Sequence, residues 1–161
     1  MDWKNNGWHT ARARKDISVP MKEILKGVSL EGKRGLDYGA GRGFDADALG
    51  LEKYDPNPKW GYDSIPEGRF DYIFCNYVLN VVDPSHVGVV VRDITSRLIE
   101  GGEAYFSVRA DIPTTVKGKT QYDVFLDQVD SSAKLVKEVK GKYRIYKILN
   151  GVTLEDMEKT V

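Results

Sequence analysis

The chain has 161 residues, 41% hydrophobic and 30% charged, with 24 basic side chains against 24 acidic ones. That length suits one domain able to bury a core, and zero formal net charge supplies no global pull towards nucleic acid or membrane. The single cysteine, Cys75, excludes an internal disulfide framework and a cysteine-rich metal site and fits a reduced, cytoplasmic setting. Residues 1–6 lack the apolar core of a signal peptide, and no apolar run is long enough to span a bilayer.

In chain order, residues 1–16 are polar and aromatic with a basic cluster of Arg12, Arg14 and Lys15. Ser18 stands at the N-cap of a predicted helix that carries Pro20 in its first turn, runs through Met21, Ile24 and Leu25 and stops near Gly27. Residues 34–38 read as a buried first strand. Asp45 is placed to cap a short helix through Ala46, Ala48 and Leu49, closed by Gly50. Residues 51–54 form a second strand ending at Asp55-Pro56, and residues 57–69, with prolines at 58 and 66, are mostly loop. Residues 70–77 are the clearest strand, apolar and aromatic on both faces as central parallel strands are.

After Asp83-Pro84, the spacing of Val87, Val91, Ile94 and Leu98 predicts a helix that Gly101-Gly102 ends. Residues 103–109 then alternate as another strand. This β-α-β-loop-β-α-β order is that of a parallel α/β sheet. Residues 121–126, 133–139 and 143–149 read as further strands, the last two joined by Lys140-Gly141-Lys142 into an antiparallel hairpin at the sheet edge, and residues 153–159 as a short terminal helix.

The stretch Gly35-Leu36-Asp37-Tyr38-Gly39-Ala40-Gly41-Arg42-Gly43-Phe44-Asp45 sets three alternating glycines between two carboxylates, after a strand and before a helix. Such glycines let the backbone turn sharply and approach a ligand without a Cβ in the way. A dinucleotide site uses similar glycines to offer a helix N-terminus to pyrophosphate. Here Asp37 and Asp45 repel phosphate and favour a cationic ligand. S-adenosylmethionine (SAM), which carries a sulfonium and an ammonium group, is one.

Four features occur in one order. Residues 37–43 match the pattern D-x-G-x-G-x-G; Asp55 ends the next strand; residues 70–82 run Phe-Asp-Tyr-Ile-Phe-Cys-Asn-Tyr-Val-Leu-Asn-Val-Val; and residues 98–106 run Leu-Ile-Glu-Gly-Gly-Glu-Ala-Tyr-Phe. Together, over residues 34–109, they resemble class I SAM-dependent methyltransferases. The resemblance implies a Rossmann-like three-layer α/β sandwich, its sheet mostly parallel with an antiparallel C-terminal hairpin. It also implies SAM as cofactor and S-adenosylhomocysteine as product. Asp37 would face the methionine end of SAM, with Tyr38, Gly39, Ala40, Gly41 and Gly43 lining the cofactor. Asp55, followed by Pro56, would grip the ribose hydroxyls, because a carboxylate's two oxygens suit two vicinal hydroxyls. Asn76, also counted among the cofactor-binding residues, and Tyr77 would border the methyl group; Asn76 either accepts a hydrogen bond from a substrate amine or hydroxyl or only caps the turn. Arg109, at the carboxyl edge of the sheet, would place an anionic group of the substrate.

Departures from the family pattern are also legible. Positions 44–54 leave room for a helix of only a turn or two, and positions 56–70 cannot hold both a helix and a strand, so the core is trimmed in its second and third strand region. Asp63 is either near the adenine or on a surface loop. Asn80 replaces a common histidine, which removes general-base catalysis at that position. The segment Trp8-His9-Thr10-Ala11-Arg12-Ala13-Arg14-Lys15 reads equally as a lid and as a solvated basic tail. Lys134, Lys137, Lys140, Lys142, Arg144 and Lys147 make the hairpin basic, more in keeping with a solvated face than with nucleic-acid binding. The combination Tyr-Val-Leu-Asn-Val, Val-Arg-x-Asp and Gly-x-Thr-Gln is similar to methyltransferase-like proteins that accompany DNA phosphorothioation systems.

The organisation expected is thus one domain over residues 1–161: an N-terminal lid and helix (1–27), a cofactor-binding core (34–109) and C-terminal strands (121–149). Three functions stay open at this point. They are methyl transfer to a small molecule or nucleic acid, a non-catalytic SAM-binding sensor or partner subunit, and a nucleotide-dependent oxidoreductase. The exposed sheet edge leaves a homodimer open.

Overall fold

The computed structural model describes residues 16–76, 84–109 and 133–150. The basic segment 8–15, Tyr77, Asn80, the strand expected at 121–126 and the helix expected at 153–159 lie outside the described residues. Six strands, β1 (Gly35–Tyr38), β2 (Glu52–Tyr54), β3 (Phe70–Asn76), β4 (Leu98–Arg109), β5 (Lys134–Val139) and β6 (Tyr143–Leu149), form one sheet in the order β2-β1-β3-β4-β6-β5. The pairs β1/β2, β1/β3 and β3/β4 are parallel, whereas β6 is antiparallel to both β4 and β5. The expected hairpin therefore closes one edge of an otherwise parallel sheet.

Helices α1 (Val19–Leu25), α2 (Phe44–Leu49) and α3 (Val87–Ser96) cover the sheet on both faces. Successive strand residues point to opposite faces, and the two cores divide accordingly. Leu36, Ile73, Cys75, Ala104 and Phe106 pack with Val87, Val90, Val91 and Ile94 of α3. Phe74, Tyr105 and Ile145 pack with Met21 and Ile24 of α1 and Ala46 of α2. The result is the three-layer sandwich that the resemblance implies. Between β2 and β3 the chain makes only a 3-10 turn, Pro58–Trp60, so the trimmed region is as short as its spacing requires. Among the described residues, no helix is long and apolar enough to cross a membrane.

Local expectations are corrected at two places, the end of α3 and the start of α2. Leu98 does not belong to α3; the helix ends at Ser96 and Leu98 opens β4. Arg69 Nη1 donates to the carbonyls of Ser96 (2.9 Å) and Leu98 (3.0 Å), and Phe70 N donates to Arg97 O (2.8 Å), so β3 takes up carbonyls released at the helix end. Gly101-Gly102 lies inside β4 rather than after a helix. The β3/β4 register jumps there from Phe70↔Leu98 to Tyr72↔Glu103. A Cβ on Gly102 would stand 2.9 Å from Ile99 O and 3.0 Å from Phe70 O, which is too close to backbone for any side chain.

The second correction concerns Asp45. Gly43, in the left-handed region at φ 81°, is the N-cap of α2, and Asp45 sits in the first turn. Its buried carboxylate reaches instead to Ser18, accepting the backbone N–H at Oδ1 (2.9 Å) and the hydroxyl at Oδ2 (2.6 Å). Ser18 precedes α1 as expected but makes no side-chain cap there. Its hydroxyl ties α1 to the segment that follows the glycine loop. Hydrogen bonds to a charged group contribute about 1.5–3 kcal/mol each, so Asp45→Ala should lower the unfolding free energy by roughly 2–4 kcal/mol. Val19→Ala, at a position 58% exposed, should change it by less than about 0.5 kcal/mol in the same urea titration.

Candidate functional site

The carboxyl ends of β1 and β3 open on a cleft lined by Ser18, Asp37, Gly39, Ala40, Arg42, Gly43, Phe44, Asp45 and Asn76, about 390 Å³ with its mouth included. This is the edge at which open α/β sheets bind ligands. Of the residues singled out from sequence, Asp37, Gly39, Ala40, Gly43 and Asn76 therefore meet at one place. Asp37 is buried, and its charge adds to the burial that pushes the neighbouring Cys75 thiol upward.

The glycine loop turns through three positive φ angles, 89° at Gly39, 55° at Gly41 and 81° at Gly43. Its N–H groups are largely committed within the protein. Gly39 and Ala40 both donate to Tyr54 O (2.7 and 2.9 Å), Gly43 donates to Ala40 O (2.8 Å), and Gly41 donates to Asp55 Oδ2 (2.7 Å). None of these four is left for a pyrophosphate. With Asp37 and Asp45 in the same wall, the loop is a poor anion site and a good surface for a cation.

Asp55 anchors this loop. While Oδ2 accepts the Gly41 N–H, Oδ1 accepts the Asn57 N–H (3.0 Å), and Asn57 Oδ1 in turn accepts the Lys59 N–H (2.9 Å). Burial pushes the Asp55 carboxyl above its ordinary value, although its two backbone N–H donors pull the other way. Tyr62 donates its hydroxyl to the Gly41 carbonyl. Burial, aided by Asp55, Asp47 and Asp37, raises that phenol to about 12, so it stays a donor at neutral pH.

Other expected site residues are placed differently. The Tyr38 side chain is fully buried and donates to Asp93 Oδ2 (2.8 Å) on α3, with its ring edge-to-face against Tyr54 at 4.8 Å between centroids. Only its backbone belongs to the glycine loop. Asp55 and Pro56 support the loop and are not among the lining residues. Arg109 ends β4 opposite Tyr143, outside the cleft wall. Asp63 is exposed. In the basic hairpin, Arg144 pairs with Glu138 and Lys147 lies 3.7 Å from Glu103.

Ser18 was read from sequence as a helix cap and not as a site residue, and Tyr62 was not singled out. A short hydroxyl side chain before a helix, and a tyrosine in the abbreviated β2–β3 connection, were the signals available. Asn76 ends β3, with Oδ1 accepting the Ser107 hydroxyl at 2.9 Å.

No protein-family model and no curated protein sequence matches the chain. Solved structures do match it. It is similar to the N-methyltransferase NodS from Bradyrhizobium japonicum WM9, solved in complex with S-adenosyl-L-homocysteine, at 15% identity over 94% of this chain and 100% of that one, with a TM-score of 0.62. It is also similar to magnesium protoporphyrin IX methyltransferase (ChlM) from Synechocystis PCC 6803, solved with bound SAM, at 11% identity over 94% and 98% of the two chains, TM-score 0.57. A methyltransferase from Pyrococcus furiosus matches at 15% identity over 88% of each chain, TM-score 0.53. At these identities the likeness is one of fold, and the fold is the Rossmann-like one of these methyltransferases.

A carboxyl whose folded pKa is raised binds its proton more readily in the folded chain than in the unfolded one. The Asp55 contribution to stability is therefore present at low pH and is lost as pH rises from the ordinary value of 3.8 through the raised folded one. Asp55→Asn should remove that part of the pH slope, measured by urea unfolding at several pH values from 3 upward, relative to the unsubstituted chain.

Proposed function

We propose that this protein is a SAM-dependent methyltransferase, acting on a small molecule or a nucleic acid. The observation that carries the reading is the chemistry of the cleft: an acid, Asp37, beside a glycine backbone whose N–H groups are already donated internally. That wall suits a ligand carrying positive charge and disfavours a pyrophosphate, which sets the oxidoreductase alternative aside.

The residues present fit SAM. Asp37 offers acceptors to an ammonium group, and the small residues Gly39, Ala40 and Gly43 form part of the cleft wall. Each Asp55 oxygen has a second lone pair beyond the one given to a backbone N–H, so the carboxylate retains acceptors for a ribose diol. Tyr38 and Pro56 contribute through backbone shape. When bound, SAM supplies a methyl group already activated on sulfonium. The protein's task is then to exclude water and align a nucleophile, which is catalysis by proximity and orientation. In this reading Tyr77, the residue after Asn76 in sequence, keeps the role at the reacting end that the resemblance implies, and Arg109 draws an anionic substrate towards the carboxyl edge of the sheet. The similarity of the Tyr-Val-Leu-Asn-Val, Val-Arg-x-Asp and Gly-x-Thr-Gln segments to proteins of DNA phosphorothioation systems keeps DNA among the acceptors to assay.

One observation favours a second reading, a non-catalytic SAM-binding module. Among the described residues that line the cleft there is no histidine or lysine to take a proton from an acceptor. Tight cofactor binding without methyl transfer across DNA, RNA, protein and metabolite panels would select it.

Calorimetric titration tests the shared part of both readings. S-adenosylhomocysteine should bind saturably, and Asp37→Ala should weaken it roughly 10- to 100-fold, the worth of one charge-assisted contact. Reduced nicotinamide cofactor should not saturate, and saturable binding of it would return the oxidoreductase to first place.

A further inference from the structure

Asn76 and Ser107 stand opposite one another in the β3/β4 ladder, at the carboxyl ends of both strands. Ser107 is fully buried, and its hydroxyl donates to Asn76 Oδ1 at 2.9 Å. That bond occupies the carbonyl end of the amide and leaves Nδ2 as the remaining polar end. Nδ2 is buried and has no hydrogen-bond partner among the described residues. Native folds rarely leave a buried donor without an acceptor, and a ligand that is not present is one of the ordinary reasons. Asn76 lines the same cleft as Asp37.

We infer that Asn76 Nδ2 donates to the α-carboxylate of the bound cofactor and that Ser107 positions the amide to do so. The inference rests on the SAM reading of this cleft. An amino-acid zwitterion needs an acceptor for its ammonium and a donor for its carboxylate, close together. An ionised Asp37 has only acceptors, and the end of Asn76 turned from Ser107 has only donors, so the two side chains divide the zwitterion between them. The torsion that carries an asparagine amide is broad, so the inferred contact requires the amide to turn towards the cleft about its hold on Ser107. Of the two roles read from sequence, cofactor contact and acceptor for a substrate amine or hydroxyl, this keeps the first. A neutral amine has one lone pair, and an N–H donor would compete with the methyl group for it. A carboxylate has lone pairs to spare.

Two ligands separate this role from a general effect on the fold. S-adenosylhomocysteine carries the amino-acid end; 5′-methylthioadenosine keeps the adenosyl sulfur and lacks that end. In calorimetric titrations of the full chain, Asn76→Ala should weaken S-adenosylhomocysteine about 10- to 100-fold and Ser107→Ala about 3- to 10-fold. Asn76→Asp, which sets a second carboxylate against the ligand's own, should weaken it more than Asn76→Ala does. Methylthioadenosine affinity should stay within about twofold throughout, since none of the altered groups meets the part it shares with the larger ligand. Equal losses for the two ligands, or an unchanged S-adenosylhomocysteine affinity in Asn76→Ala, would overturn the inference and leave the SAM reading standing. A wild-type chain that binds neither ligand would remove that reading and the inference with it. Should Ser107→Ala fail to fold, the Asn76→Ala and Asn76→Asp pair decides alone.

Discussion

The Asp55 carboxylate accepts one N–H from each of two loops, Gly41 at 2.7 Å and Asn57 at 3.0 Å. In a chain with only a 3-10 turn between β2 and β3, this bridge and the Tyr62 hydroxyl on the Gly41 carbonyl hold the glycine loop at the carboxyl end of β1. Two N–H donors favour the ionised carboxyl, yet burial outweighs them and the net displacement is upward. The anchor is therefore held at a cost. Carboxylates under such tension are common at functional sites, where the surrounding fold enforces an arrangement the isolated group would not choose.

The same bridge decides what the loop can bind. A glycine loop with free N–H groups attracts phosphate. Here Tyr54 O, Ala40 O and Asp55 take the N–H groups of Gly39, Ala40, Gly41 and Gly43, and Asp37 and Asp45 supply negative charge. Two loops with similar glycine spacing can thus prefer opposite ligand charges, depending on where their donors point. The Ser18–Asp45 bonds add a third constraint by pinning the start of α1 to the cleft wall. The N-terminal region is in this way part of the site's frame.

Much of the fold was legible because its signals are local and periodic. The apolar runs of β1 and β3, the alternation of β4 and the Lys140-Gly141-Lys142 turn each specify an element and its neighbours. The misreadings came from residues whose partners are distant in sequence. Leu98 continues the helical spacing of Ile94, but Arg69 and Phe70 claim the carbonyls at the end of α3 and draw Leu98 into the sheet. Gly101-Gly102 looks like a helix stop and is instead a close crossing over the start of β3. Asp45 looks like a cap and is bonded to Ser18.

At the site, the residue types were legible and their orientations were not. Asp37 and the glycines could be placed from the pattern alone. That Tyr38 turns to Asp93, that both oxygens of Asp55 already hold backbone N–H groups, and that Asn76 is left with a donor are consequences of β1, β3, β4 and α3 coming together. No spacing along one segment encodes them.

A crystal structure determined with S-adenosylhomocysteine tests the central claim most directly, because the claim concerns where one ligand lies. The account predicts the amino-acid end against Asp37 and Asn76, the thioether over Gly39–Gly43 and the ribose towards Asp55. Ligand bound elsewhere on the sheet, or a glycine loop that rearranges to offer its N–H groups to a phosphate-bearing molecule instead, would contradict it.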